Sequence, residues 1–166
     1  MNVTPLNNKV ENSGIITVDI LEYKPLDTVL FLDIKDFLYM GLIIREKDFK
    51  ALVSNYAWEK FKNKPVAIGC TADTIIPTWV FMMLADKLQP YATVVAFTTT
   101  EDLTLWLWLD HIAGADFSEL QDKKVVVRAH FNIHPSLYIA LTTKLKPLVK
   151  TLMYGEAGMP KVIYKK

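Results

Sequence analysis

Two ten-residue stretches constrain this chain more than any other feature. Lys64-Pro65-Val66-Ala67-Ile68-Gly69-Cys70-Thr71-Ala72-Asp73 aligns without a gap onto Lys123-Lys124-Val125-Val126-Val127-Arg128-Ala129-His130-Phe131-Asn132. One deletion later Pro77 meets Pro135, and Lys87-Leu88-Gln89-Pro90 meets Lys144-Leu145-Lys146-Pro147. Each stretch opens on a continuous apolar run, the pattern of a strand covered on both faces. A polar loop follows, then a proline where a first helical turn loses no hydrogen bond by it, and later a proline that stops the helix. Each unit therefore reads as strand, Asx loop, helix, strand, and the pair as an imperfect internal βαβ duplication.

The rest of the chain extends this pattern. Residues 15–21 and 28–32 are rich in Ile, Val and Leu and read as strands, with Lys24-Pro25-Leu26-Asp27 as the turn between them. Ile34, Phe37, Leu38 and Leu42 recur at helical spacing, and Phe49, Leu52, Val53 and Tyr56 form a second helical stripe that ends near Lys62. Strands are expected at 65–70, 93–98, 124–129 and 151–154, and helices at 77–88, 101–112 and 135–145. Such alternation implies a parallel sheet. The fold class expected is α/β: a three-layer α/β/α sandwich with one mainly parallel sheet from Pro65 onward, the N-terminal pair extending an edge or packing alongside. One domain is expected over residues 1–166. It comprises N-terminal strands and helices (1–62), a first βαβ unit (63–100), a connecting helix (101–122) and a second βαβ unit with the tail (123–166).

Composition narrows the function classes. Nineteen basic and 18 acidic residues are mixed along the chain, for a net charge of +1. A nucleic-acid binder usually shows a basic stripe, and none is visible. One cysteine, Cys70, excludes an internal disulfide and a CxxC metal knuckle. Residues 1–13 are polar where a signal peptide would be apolar, and the longest apolar stretches, 80–85 and 103–109, are far short of a membrane span. A cytoplasmic protein that binds neither nucleic acid nor membrane is expected. The segment Leu103-Thr104-Leu105-Trp106-Leu107-Trp108-Leu109 is apolar on nearly every side of a helix, so a homodimer through Leu103, Trp106 and Trp108 is expected.

Several motifs carry a resemblance. Ala72-Asp73-Thr74-Ile75-Ile76-Pro77-Thr78-Trp79 is the most specific. Ser13-Gly14-Ile15-Ile16-Thr17, Lys35-Asp36-Phe37-Leu38, Arg45-Glu46-Lys47-Asp48-Phe49 and Met153-Tyr154-Gly155-Glu156 accompany it. The chain resembles, nearly end to end, a bacterial family filed as a domain of unknown function, family 2480. It departs from that pattern at 129–135, where a Gly-Cys-Gly-Asp-like loop one residue longer is expected. The resemblance supplies no activity. It implies a bacterial cytosolic protein and associates the family with iron–sulfur assembly neighbourhoods.

The standard phosphate-cradling and hydrolase motifs are missing: there is no GxxxxGK[ST], GxGxxG, GxSxG, HExxH or EF-hand loop. In an open parallel α/β sheet, ligands bind beyond the carboxyl ends of the strands. The duplication places Cys70 and Asp73 at one such end, with Thr78 entering the helix behind them. It places His130, Asn132 and His134 at the other, and Tyr154 and Glu156 follow the last strand. These eight are the candidate ligand-binding residues. Asp73 and Asn132 are expected to bond loop amides as Asx turns, and Cys70 to be a small buried hydrophobe. His130 and His134 have helical metal spacing but precede the helix. With Cys70 and Glu156 they would make a zinc or iron set, although nothing in the sequence forces them to converge. No cofactor is expected. The favoured function is a non-catalytic accessory or small-molecule-binding protein. The alternatives are an enzyme built on Cys70, His130 and Asp73, and, following the resemblance, a metal-handling partner in iron–sulfur cluster assembly.

Overall fold

The structure is a computed structural model and describes residues 14–166. The expectation for residues 1–13 lies outside the described residues. Among the described residues, seven strands and four α-helices follow in order: β1 (Ile15–Val18), β2 (Leu30–Asp33), α1 (Glu46–Ser54), β3 (Pro65–Gly69), α2 (Thr78–Leu88), β4 (Val94–Phe97), α3 (Thr100–Gly114), β5 (Lys124–Val127), α4 (Pro135–Leu145), β6 (Thr151–Tyr154) and β7 (Lys161–Lys165). The protein is α/β, as expected, and its sheets are mostly parallel.

There are two sheets, however, where one was expected. One has the order β2-β3-β4, all parallel; the other has the order β1-β5-β6-β7, with only β7 antiparallel. The chain divides accordingly into two compact units, Pro25–Trp106 and the pair of segments Met1–Lys24 and Leu107–Lys166. The boundaries fall inside the segments 1–62 and 101–122. The N-terminal strands are edge strands, as expected, but each joins a different sheet. Their connection at Lys24-Pro25 is the passage from one unit to the other.

In the Pro25–Trp106 unit, β3 is buried along its apolar length. Its Val66 and Ile68 share a core with Leu32 of β2, Val80, Leu84 and Leu88 of α2, and the aromatic residues Phe37, Phe49, Trp58 and Phe61. The α2 residues recur every fourth position, one stripe of the helix. Burying one such side chain stabilises by roughly 1.5–3 kcal/mol. The expected helix at 34–42 is only a 3-10 turn, Ile34–Phe37. Met40 and Gly41 adopt left-handed φ of 52° and 70°, and the Tyr39 amide donates to the Ile43 carbonyl at 2.8 Å, which turns the chain back on itself. The stripe expected to run to Lys62 likewise breaks, into α1 and a 3-10 turn at Trp58–Phe61.

The discontinuous unit repeats this order. Its β1 is followed by a 3-10 turn at Ile20–Tyr23; the far end of α3 follows, then a 3-10 turn at Ser118–Leu120, then β5, α4 and β6. The details coincide as well. Asn63 and Asp122, each just before a central strand, have φ of 58° and 56°, and their amides donate to Tyr91 and Leu148 carbonyls at 2.9 Å in both cases. Phe49 and Val53 of α1 are buried, as are Trp108 and Ile112 of α3. Val80, Leu84 and Leu88 of α2 match Leu137, Leu141 and Leu145 of α4. That match sets Thr78, not Pro77, opposite Pro135. Pro77 is the N-cap of its helix and Pro135 the first helical residue of the other, so the two prolines are one position apart. The extra strand β7 was not expected. It pairs only with β6, and its lysines at both ends give it the polar signature of an edge.

The homodimer contact needs correction. Leu103 (1% exposed) and Trp108 (7%) are buried within the chain, and the Trp108 indole N–H donates to the Ile20 carbonyl at 3.1 Å. Of the three residues expected at a dimer contact, only Trp106, 54% exposed, is free to meet another chain.

Candidate functional site

The carboxyl ends of β2, β3 and β4 frame one candidate site. Both β2 and β3 run parallel in register, which sets Asp33 beside Gly69. A Cβ on Gly69 would lie 2.7 Å from two carbons of the Phe31 ring. The absence of a side chain there is what lets that ring lie across the strand. A cavity of about 630 Å³ opens here, lined by Phe31, Ile68, Gly69 and Cys70, by Phe97 at the end of β4, and by residues 98–102. This volume is within the range of small-molecule pockets. Phe97 is 69% exposed and meets Phe81 edge-on, with ring centroids 4.9 Å apart.

The far wall is the first turn of α3. The Thr99 hydroxyl accepts the Asp102 amide at 3.0 Å and donates to the Asp102 carboxylate at 2.9 Å, an N-cap with its reciprocal acid. Thr100 donates to the Glu101 carboxylate at 2.9 Å. The cavity therefore combines aromatic and aliphatic walls with a rim of hydroxyls and two carboxylates.

Asp33 fixes the loop behind this cavity. Its Oδ1 accepts the amides of Lys35 (2.9 Å) and Thr71 (3.1 Å), and its Oδ2 accepts the Thr71 hydroxyl at 2.6 Å. Burial alone would push this carboxyl up, but the Thr71 and Lys35 donors and the Lys35 charge outweigh it and hold the carboxyl below its ordinary range. Thr74 ties the same loop to the Leu42 carbonyl at 2.6 Å. Asp73, expected to do this work, is exposed and makes no hydrogen bond among the described residues. Cys70 is only half-buried; its thiol faces the Ala72 carbonyl at 3.5 Å and lines the cavity. Thr78 is exposed at the start of α2.

In the other unit, the carboxyl ends of β1, β5 and β6 gather a different set. Asp19 follows β1 as Asp33 ends β2. Its Oδ1 accepts the Leu21 amide at 3.0 Å and the His130 Nε2 at 2.7 Å, and its Oδ2 accepts Arg128 Nη1 at 3.0 Å. Burial opposes the charge of Asp19, but the Leu21 amide, the His130 ring and Arg128 prevail and hold its carboxyl below the ordinary range. The His130 amide donates to the Tyr138 hydroxyl at 3.0 Å, and Tyr138 meets Tyr154 edge-on at 5.4 Å. Burial, with the Tyr154 and Asp19 neighbours, raises the Tyr138 phenol against the opposing His130 amide, so it stays protonated. Asn132 has a left-handed φ of 61° and, like Asp73, makes no side-chain bond among the described residues. His134 Nδ1 accepts the Ser136 amide at 3.3 Å as the cap of α4. Glu156 is exposed beyond β6.

The expected residues are thus divided. Cys70, Asp73 and Thr78 belong to the Pro25–Trp106 unit; His130, Asn132, His134, Tyr154 and Glu156 belong to the other. The strands that carry Cys70 and His130 belong to different sheets and do not pair. Among the described residues, no three His, Cys, Asp or Glu side chains lie close enough to hold a metal ion, so the Cys70, His130, His134 and Glu156 set is not assembled. Asp19, Asp33, Arg128, Tyr138, Phe31 and Phe97 were missed. A signal for two of them was present: Asp19-Ile20-Leu21-Glu22-Tyr23 and Asp33-Ile34-Lys35-Asp36-Phe37 follow one pattern of Asp, Ile, any residue, acid, aromatic. Among the described residues no helix is long and apolar enough to cross a membrane.

No curated protein and no solved structure matches the chain. A family model matches residues 4–166, essentially the whole sequence, so the chain belongs to DUF2480, a family described as proteins of unknown function.

Proposed function

We propose that the protein binds a small, flat, largely apolar molecule carrying a hydroxyl or amino group, in the strand-end cavity of the Pro25–Trp106 unit. The observation that carries this reading is the cavity itself. It lies at the carboxyl ends of parallel strands, where such sheets take ligands, and two aromatic rings, Phe31 and Phe97, stand part-exposed on its wall. Glu101 and Asp102 on the rim favour a neutral or cationic ligand and disfavour an anionic one. The role of this cavity is non-catalytic, in a bacterial cytoplasm: of the thiol and the imidazole expected to act together, only Cys70 lines it.

We also read the two units as copies of one ancestral element. The shared order of strands and turns, the paired left-handed Asn63 and Asp122, and the paired Asp19 and Asp33 caps support this. Because Pro25–Trp106 lies within the other unit's sequence, the duplication is nested, not end to end.

The test is a saturation-transfer NMR screen of aromatic fragments, half cationic and half anionic. Neutral and cationic fragments should bind, and Phe97→Ala and Gly69→Val should both abolish the signal. Binding dominated by anionic fragments, or undiminished in both variants, would reject the reading.

A further inference from the structure

In the unit formed by Met1–Lys24 and Leu107–Lys166, Asp19 and His130 form a carboxylate–imidazole pair that the cavity reading does not use. Asp19 accepts three donors, so it stays ionised and can only accept. The proton of the 2.7 Å contact then belongs to His130 Nε2, a tautomer assigned from partners and not from a visible hydrogen. With the proton on Nε2, the lone pair of the ring lies on Nδ1. No hydrogen bond occupies that atom among the described residues, and the side chain is 22% exposed.

The other histidines differ. His111 lies with Nδ1 3.1 Å from the Tyr23 carbonyl and is paired with no carboxylate among the described residues; His134 has its Nδ1 lone pair engaged by the Ser136 amide. Nor does the fold need an imidazole at this place. In the Pro25–Trp106 unit the same clamp is closed by the amide and hydroxyl of Thr71 on Asp33.

We propose that His130 is a reactive imidazole that takes activated acyl groups on Nδ1, with Asp19 as its positioning residue. Nδ1 attacks the acyl carbon of an activated ester, the bond to the leaving oxygen breaks, and the electron pair departs with that oxygen. The Nε2 proton stays in its bond to Asp19, whose charge offsets the cationic acylimidazole. Water then adds to the acyl carbon and loses one proton to solvent, the C–N electrons return to Nδ1, and a carboxylic acid is released, leaving the ring as it began. The Arg128 guanidinium commits only Nη1 to Asp19 and has donors left for a developing oxyanion. The Tyr138–Tyr154 pair and the 98% exposed Phe131 suit an aryl ester.

The test is p-nitrophenyl acetate hydrolysis by the whole chain, followed as nitrophenolate release across pH. The titratable and charged groups around His130 are Asp19 after β1, Arg128 after β5, Tyr138 on α4 and Tyr154 at the end of β6. His130→Gln, whose side-chain N–H can still donate to Asp19, should lower the rate about tenfold or more. Asp19→Asn should lower it and move the inflection of the pH profile, which a purely structural role would not do. His111→Gln and His134→Gln should retain it. A wild-type rate in a folded His130→Gln, or a wild-type protein no faster than free imidazole, would overturn the proposal. Should His130→Gln fail to fold, diethyl pyrocarbonate labelling of the native protein decides: His130 must be modified first, and earlier labelling of His111 or His134 would overturn it.

Discussion

Asp33→Ala should destabilise the protein by about 2–3 kcal/mol. The carboxylate makes three contacts that alanine removes: the Lys35 amide at 2.9 Å, the Thr71 amide at 3.1 Å and the Thr71 hydroxyl at 2.6 Å. Loss of an N-cap costs about 1 kcal/mol. Each of the two bonds to Thr71 is charge-assisted but partly open to solvent, so about 0.5–1 kcal/mol apiece is the fair figure. For a chain of this size the sum lowers the melting temperature by roughly 5–10 °C. The sign of the pH dependence follows from the depressed carboxyl. A folded-state value below the unfolded one contributes stability above the unfolded value, 3.8, and that stability is lost as pH falls towards the folded value. The gap between wild type and Asp33→Ala should therefore be full at neutral pH and shrink below about pH 4. Thermal unfolding monitored by circular dichroism over that range is the assay. A melting shift under about 2 °C at neutral pH, or a gap that widens on acidification, would refute the clamp.

Three further outcomes follow from the same geometry. Asp73→Ala should change the melting temperature by less than about 1 °C, since its carboxylate is exposed and bonds nothing among the described residues; a larger fall would return the loop's anchoring to Asp73. Cys70 should alkylate more slowly than a free thiol yet measurably in the native state, and a fragment held in the cavity should protect it; complete inertness, or reaction as fast as a model thiol, would contradict its half-buried place on the cavity wall. Trp108→Glu should unfold the protein, by placing a charge where a buried indole bonds Ile20, whereas Trp106→Glu should leave it folded. Sedimentation of Trp106→Glu then tests the homodimer, because a dimer through α3 must now rest on that ring and should dissociate.

The parallel α/β class was legible because it rests on local signals. Val66-Ala67-Ile68 and Val125-Val126-Val127 are buried on both faces, and α2 and α4 carry their leucines at four-residue spacing. The partition into two sheets was not legible, since it depends on which strands pair, and an apolar run does not name its neighbour. Residues 34–42 show the limit of periodicity: the spacing is helical, but the left-handed pair at Met40 and Gly41 reverses the chain first. At the sites, His130 was found as a titratable side chain at a strand end. Its partner Asp19 was absorbed into an overlong strand, 15–21, although the strand ends at Val18 and Asp19 caps the turn beyond it. Phe31 and Phe97 were read as strand residues; the missing Cβ of Gly69 is what makes room for the Phe31 ring on the cavity wall.

The nested arrangement proposed for the two units bears on why the sites differ. An end-to-end duplication would have left two complete copies in sequence order, and the alignment of residues 64–73 with 123–132 would have extended upstream without interruption. Instead the first strand and its capping aspartate, Asp19, are separated from the rest of their unit by all of Pro25–Trp106. Pairing is nonetheless preserved: Leu30 and Val66 are register partners in one sheet, and Ile16 and Val125 are partners in the other. With the frames held so closely, the substitutions at the strand ends stand out. Gly69 corresponds to Arg128, Phe31 to Thr17, Thr71 to His130 and Phe97 to Tyr154. Gly69 makes room for the Phe31 ring, and an open, largely apolar cavity lies there. An arginine at the equivalent place extends to the aspartate instead, and the threonine that merely closed the clamp becomes an imidazole with a free lone pair. In the proposed duplication one frame carries two arrangements, an open cavity in one unit and a hydrogen-bonded Asp19–His130 pair in the other, and these four positions are among those that distinguish them.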